Sequence, residues 1–164
     1  LDEVYDGQTS DILDNGYVIV DFANGMRAML ELCMFAEGAR YQEEISATGP
    51  SGKIEALVPG PGRFWPPHLG AAPIPKIIIS PRSPKGPETR DFPVDAALLD
   101  AGDHNGATFY QHEGFLALVR GERARPDVSL HDGWKAVALG MAAQQSALSG
   151  QAVALGGAPW DAKS

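Results

Sequence analysis

The sequence has a single cysteine, Cys33, set in the apolar run MLELCMF. One thiol closes no disulfide within the chain, which removes the small secreted scaffold as a class. Cys33 reads as a small buried hydrophobe rather than a nucleophile. No apolar run approaches the roughly 20 residues that span a bilayer, and no signal peptide is recognisable, so the chain is expected in the cytoplasm. Basic clusters are also missing. The formal net charge is −8 and the isoelectric point about 4.8. Such a surface repels phosphate backbones and anionic lipid, so neither a nucleic acid nor a membrane is an expected partner. The nucleotide-binding and hydrolase signatures GxGxxG, the P-loop and GxSxG are absent. The nearest approach, Gly60-Pro61-Gly62, lacks the spacing, and its proline removes an amide donor that a phosphate would need. No cofactor site is expected in this chain.

What is present suits one domain: 164 residues, 44% of them hydrophobic,. Residues 1–14 read as a polar lead-in and Asn15-Gly16 as a turn. Tyr17 to Phe22 (YVIVDF) is β-branched and aromatic, and Asn24-Gly25 is a hairpin signal before a second strand, Met26 to Phe35,. Further strands are predicted at Gln42 to Thr48, Lys53 to Val58, Lys76 to Ser80 and Glu88 to Val94. Residues 59–75 carry six prolines and must form a surface loop, with Phe64-Trp65 at its centre, expected to pack on a neighbouring surface,. Two helices follow. One runs from about Ala107 to Arg120, with Asn105 as N-cap and Gly121 as C-cap. The other runs from about Leu130 to Ser149, with a capping-box-like pair Ser129/Asp132 and Gly150 at its end. Strands first and helices last predict an α+β fold, a mostly antiparallel open β-sheet with helices packed on one face.

That arrangement leaves the other sheet face to be explained. On the second strand Ala28, Leu30, Leu32 and Met34 form a fully apolar face that belongs on the core. The opposite face carries Met29, Cys33 and Phe35 beside Arg27 and Glu31. Large apolar groups in water are costly, so Met29, Cys33 and Phe35 are expected in a homo-oligomer interface or under the proline-rich loop.

Candidate chemistry concentrates in Gly102 to Val119, GDHNGATFYQHEGFLALV. Asp103, His104, His112, His131 and Asp132 are ligand-type residues, but His104 and His112 lie eight positions apart and no two histidines share the i, i+4 spacing of a helical zinc site,. No metal is expected. His131 and Asp132 suit a helix N-terminus. Glu43 and Glu44 are consecutive on a strand, point to opposite faces and make a poor acid/base pair. The polar groups from Asp103 to His112 fit either a capping loop with one core histidine or a small site for oxyanions and hydroxyls at a helix start.

Four segments, taken in order, carry a resemblance: LDEVYDGQTSDILDNGYVIVDFANGMRAMLELCMFAEG, EEISATGPSGKIEA, GDHNGATFYQHEGFLALVRG and DGWKAVALGMAAQQSALSGQAVAL. Together they resemble the C-terminal domain of the Gfo/Idh/MocA family of NAD(P)-dependent sugar and polyol oxidoreductases. The resemblance implies a substrate and oligomerisation domain over residues 1–155, a tail over 156–164, and a separate N-terminal Rossmann domain that binds NAD or NADP. The family's Glu-Lys-Pro motif and its Asp/His catalytic pair have no counterpart in this sequence, so the isolated chain is expected to be inactive. His104, Thr108 and Tyr110 become substrate-facing residues for a sugar or polyol. Gln111 departs from the glutamate that similar proteins often have there. Two other readings remain: a non-catalytic binding or assembly module sharing the fold, and a metal hydrolase built on His104 and His112.

Overall fold

The computed structural model describes residues 4–5, 7–9, 12–36, 38–101 and 104–155. The tail 156–164 and residues 102–103, Asp103 among them, lie outside this description. The chain divides into two compact units, one formed by Leu1–Gly16 with Leu32–Glu113 and the other by Tyr17–Glu31 with Gly114–Ser164.

The fold is α+β, with open antiparallel sheets ahead of the long helices. In place of one continuous meander there are separate ladders. Two short strands, β1 (Val4–Tyr5) and β2 (Gln8–Thr9), pair antiparallel inside the segment expected to be a polar lead-in. The hairpin of β3 (Asn15–Asp21) and β4 (Arg27–Cys33) turns where Asn24-Gly25 predicts. There the Phe22 amide donates to the Met26 carbonyl at 2.9 Å, and the Asn24 side chain accepts from the Met26 amide at 3.1 Å. Asn15-Gly16 is not a turn but the start of β3. Asn15 donates its side-chain amide to Asp14 Oδ1 at 2.6 Å, and Asp14 is only 2% exposed.

The larger sheet is a four-stranded meander in the order β5 (Glu43–Gly49), β6 (Gly52–Val58), β7 (Lys76–Pro81), β8 (Glu88–Asp91). Its register runs Glu43↔Val58 to Gly49↔Gly52 between the first two strands and Ile54↔Ile79 between the next. Gly52 tightens the β5–β6 turn at φ +150°, and a Cβ there would overlap the Ser80 carbonyl. The proline-rich connection from β6 to β7 has neither strand nor α-helix, only two 3₁₀ turns at Gly62–Phe64 and Pro67–Leu69, each preceded by a proline.

A short helix, α1 (Ala96–Ala101), lies outside the elements the sequence predicts, although Asp95 supplies the usual start: its carboxylate accepts from the Ala97 amide at 2.9 Å,. The long helices are α2 (Ala107–Val119) and α3 (Leu130–Ser149), close to the predicted limits. The α3 N-terminus has a reciprocal capping box, with Asp132 in the position glutamate usually takes,. Gly150 closes it in the left-handed conformation,. Among the described residues no helix is long and apolar enough to cross a membrane.

Burial departs from expectation. Among the described residues no hydrophobic side chain is fully buried. Both faces of β4 are open: Leu30, assigned to a core face, is 55% exposed and Met29, on the other face, 68%. Cys33 is exposed rather than buried. The reason is the ladder itself. A two-stranded sheet has no second layer of its own, and an apolar face is hidden only when another layer covers it.

Candidate functional site

The site begins at one end of the β5–β6 hairpin. Glu43 opens β5 and sits opposite Val58, the last residue of β6. The Gln42 amide extends the pairing by donating to the Val58 carbonyl at 2.8 Å, and Pro59 beyond it is buried. Glu43 and Pro59, well separated in sequence, are thereby brought to the same end of the sheet, Pro59 following directly on the register partner of Glu43.

The turn that opens α2 is stapled to this sheet end at two adjacent residues. The Asn105 side-chain amide donates to the Pro59 carbonyl at 2.7 Å. His104 Nδ1 lies 3.1 Å from Glu43 Oε1. Asn105 is therefore not a helix N-cap. Its side chain bonds back to the sheet, and its own backbone is left-handed, at φ +53° and ψ +41°. His104 (φ +62°) and Gly106 (φ +83°) are left-handed too. Non-glycine residues pay for that conformation, on the order of 1 kcal/mol each, and keep it only where surroundings fix it. The two staples do the fixing.

Gly106 is buried, and close approach as well as its positive φ calls for glycine there. A Cβ at this position would come within 3.4 Å of both the Tyr110 ring and Val94, and 3.6 Å of Leu98. The missing side chain lets the turn lie close to α1 and to the first turn of α2. Tyr110 packs edge-on against Phe109, with centroids 5.6 Å apart at 79°. Its position one helical turn after Gly106 ties it to the turn, and Thr108 stands between them on the exposed first turn of α2.

The predicted site residues thus share one locality: His104 in the stapled turn, Thr108 and Tyr110 at the helix start. Sequence reasoning missed two members. Glu43 was set aside as half of a poor acid/base pair with Glu44, and its partner lies 61 residues away. Pro59 contributes only a carbonyl. Asn105-Gly106 was the available signal, since Asn and Gly are the residues that most readily take left-handed backbone.

The other ligand-type residues have separate roles. Asp132 belongs to the α3 cap, where its carboxylate accepts from the Ser129 hydroxyl at 2.6 Å and the Ser129 amide at 3.1 Å. Those bonds hold its carboxyl below the usual range, the hydroxyl contributing most. His131 leans on Trp134, with ring centroids 6.0 Å apart. No group of three or more His, Cys, Asp or Glu among the described residues is placed to hold a metal ion.

The residues assigned to an interface lie on and just beyond β4. Met29 and Cys33 are exposed, and Phe35 is half-buried. In the proline-rich loop Phe64 is exposed under the Arg63 guanidinium, 4.5 Å from its ring centre. Trp65 is half-buried, and its indole N–H has no acceptor among the described residues. No family model matches the chain, and no curated protein matches it.

Proposed function

We propose that this chain is the substrate-pocket and oligomerisation domain of an NAD(P)-dependent sugar or polyol oxidoreductase of the Gfo/Idh/MocA type. The intact reaction is hydride transfer at a secondary alcohol carbon. The observation that carries the reading is the stapled turn: a strained left-handed segment, held from two sides, that brings His104, Thr108 and Tyr110 to one helix start. Strained backbone concentrates where a site must be preorganised. A hydroxyl, an imidazole and a phenol are the donor and acceptor types that read the hydroxyls of a polyol.

The sequence has no GxGxxG turn, and the prolines around Gly60 and Gly62 remove amides,. In this proposal the chain supplies the alcohol side of the pocket, and a Rossmann domain supplies NAD or NADP. Its own residues bind and orient the substrate. In the same proposal two copies meet through the β3–β4 face at Met29, Cys33 and Phe35, which hides apolar surface that the hairpin leaves open,. The setting is cytoplasmic.

The lack of a nucleotide motif favours a second reading, a non-catalytic binding module with the same fold. Two measurements separate them. NMR titration of the chain with a polyol panel is expected to shift His104, Thr108 and Tyr110, while NADH fluorescence titration shows no binding. Translation upstream of Leu1 is expected to reveal an in-frame GxGxxG unit. A start codon directly before Leu1 gives the binding module instead, and micromolar NADH binding to the chain alone overturns the division of labour.

A further inference from the structure

We infer that Glu43 is a positioning residue: it holds His104 in a single tautomer and orientation, so that Nε2 is the atom offered to a ligand hydroxyl. The inference rests on the proposed function only for the nature of that ligand.

His104 Nδ1 lies within hydrogen-bond distance of Glu43 Oε1, at 3.1 Å. An ionised carboxylate has no proton to give, so the imidazole must be the donor. With the proton on Nδ1, the neutral ring keeps its lone pair on Nε2. An unconstrained histidine samples both tautomers and several rotamers. Here the choice is fixed at both ends. Glu43 is the first residue of β5, and its backbone is placed by its pairing with Val58. The His104 backbone is held near the same sheet end, because the next residue, Asn105, is tied to Pro59 there. Two neighbouring turn residues thus meet one sheet end, at Glu43 and at Pro59 just past β6.

Stability is a poor explanation for this arrangement. Both side chains are about half exposed, 53% for His104 and 48% for Glu43. Exposed pairs of this kind contribute little to folding. The turn nevertheless accepts left-handed backbone at His104 and Asn105 to make the contact. What the contact does supply is orientation, which is what a carboxylate behind an imidazole commonly does in catalytic and binding sites. The half-exposed ring remains open to a ligand. A polyol hydroxyl donating to Nε2 would be met by a preset acceptor, with Thr108 and Tyr110 nearby on α2.

The test reads the tautomer directly. Long-range nitrogen–proton NMR spectra of the full chain, at about pH 9 and so above the usual imidazole range, distinguish an Nδ1–H ring from an Nε2–H ring. Wild type is expected to show His104 as Nδ1–H. Glu43→Ala should convert it to mostly Nε2–H. Glu43→Gln, whose amide oxygen still accepts, should restore Nδ1–H. Unchanged amide shifts along β5 and β6 in each variant show that the fold is retained. A wild-type ring in the Nε2–H form, or a Glu43→Ala ring identical to wild type, overturns the inference. The functional arm is separate: polyol affinity is expected to fall about tenfold in Glu43→Ala, the loss of one oriented hydrogen bond. A locked tautomer in a chain that binds no polyol leaves the positioning intact and removes the polyol reading. Equal polyol affinity in Glu43→Ala and wild type overturns the role assigned to the tautomer.

Discussion

The β5–β8 sheet and the β3–β4 hairpin are written in the same alphabet and end differently. KIIIS in β7 and YVIV in β3 are both runs of strand-forming apolar residues. β7 has a neighbour on each side and is half-buried along its whole length. β4 has one neighbour, β3, and is exposed along its whole length. Strand formation and strand burial are therefore decided separately. Local pattern and turn chemistry form the ladder. The number of layers and ladders around it determines whether the apolar face leaves water.

The sharpest way to break this contrast is at Gly52. Replacement by alanine forces a Cβ into the Ser80 carbonyl at a backbone angle that other residues avoid. A loss of about 3 kcal/mol is expected, read as a lower melting temperature, with hydrogen exchange accelerated in β5–β7. No comparable effect is expected from Gly16→Ala, where a Cβ meets nothing within 4 Å.

Met29→Lys probes the hairpin from the other side. In an isolated chain the exposed residue should tolerate lysine with little change in melting. If two copies cover the β4 face, each buries a methionine there, and losing about 1.5–3 kcal/mol of apolar burial weakens association more than tenfold. Sedimentation equilibrium at micromolar concentration checks it. A strict monomer in both proteins excludes the interface.

A smaller effect is expected at α3. Ser129→Ala removes one half of the capping box at a cost of about 1 kcal/mol,. The linked carboxyl sets a pH dependence. Its value is lowered in the folded protein by the Ser129 hydroxyl and amide. A lowered carboxyl contributes stability that is complete above its unfolded-state value and is lost as pH falls through the folded one. Acid melts should therefore cost wild type more than Ser129→Ala, and the two curves should converge. The same sign holds for Glu88, held low by Arg90 at an exposed site, where the effect should be the smallest of all,.

Much of the architecture was legible because local signals carry it. Asn24-Gly25, the Ser129/Asp132 pair and Gly150 each fix a boundary through a few neighbouring atoms, and the structure keeps all three. The misses involve distance. The apolar face of β4 looked like core because alternation names a face without naming what lies against it. Asn105 looked like a helix cap because its partner, the Pro59 carbonyl, is 46 residues away. Glu43 looked idle for the same reason. The turn 104–106 was legible as polar and special, whereas its strain and its anchors were not.

If the stapled turn faces a polyol, as proposed, its residues set substrate affinity in the enzyme that joins this chain to a Rossmann domain. The decisive experiment is steady-state kinetics on that enzyme, with NAD(P)-dependent oxidation measured for wild type, His104→Ala, Thr108→Val and Tyr110→Phe. KM for the polyol is expected to rise several-fold or more in each variant while KM for the nucleotide is unchanged. Wild-type kinetics in all three variants, or no NAD(P)-dependent oxidation of any polyol by the wild-type protein, contradicts it.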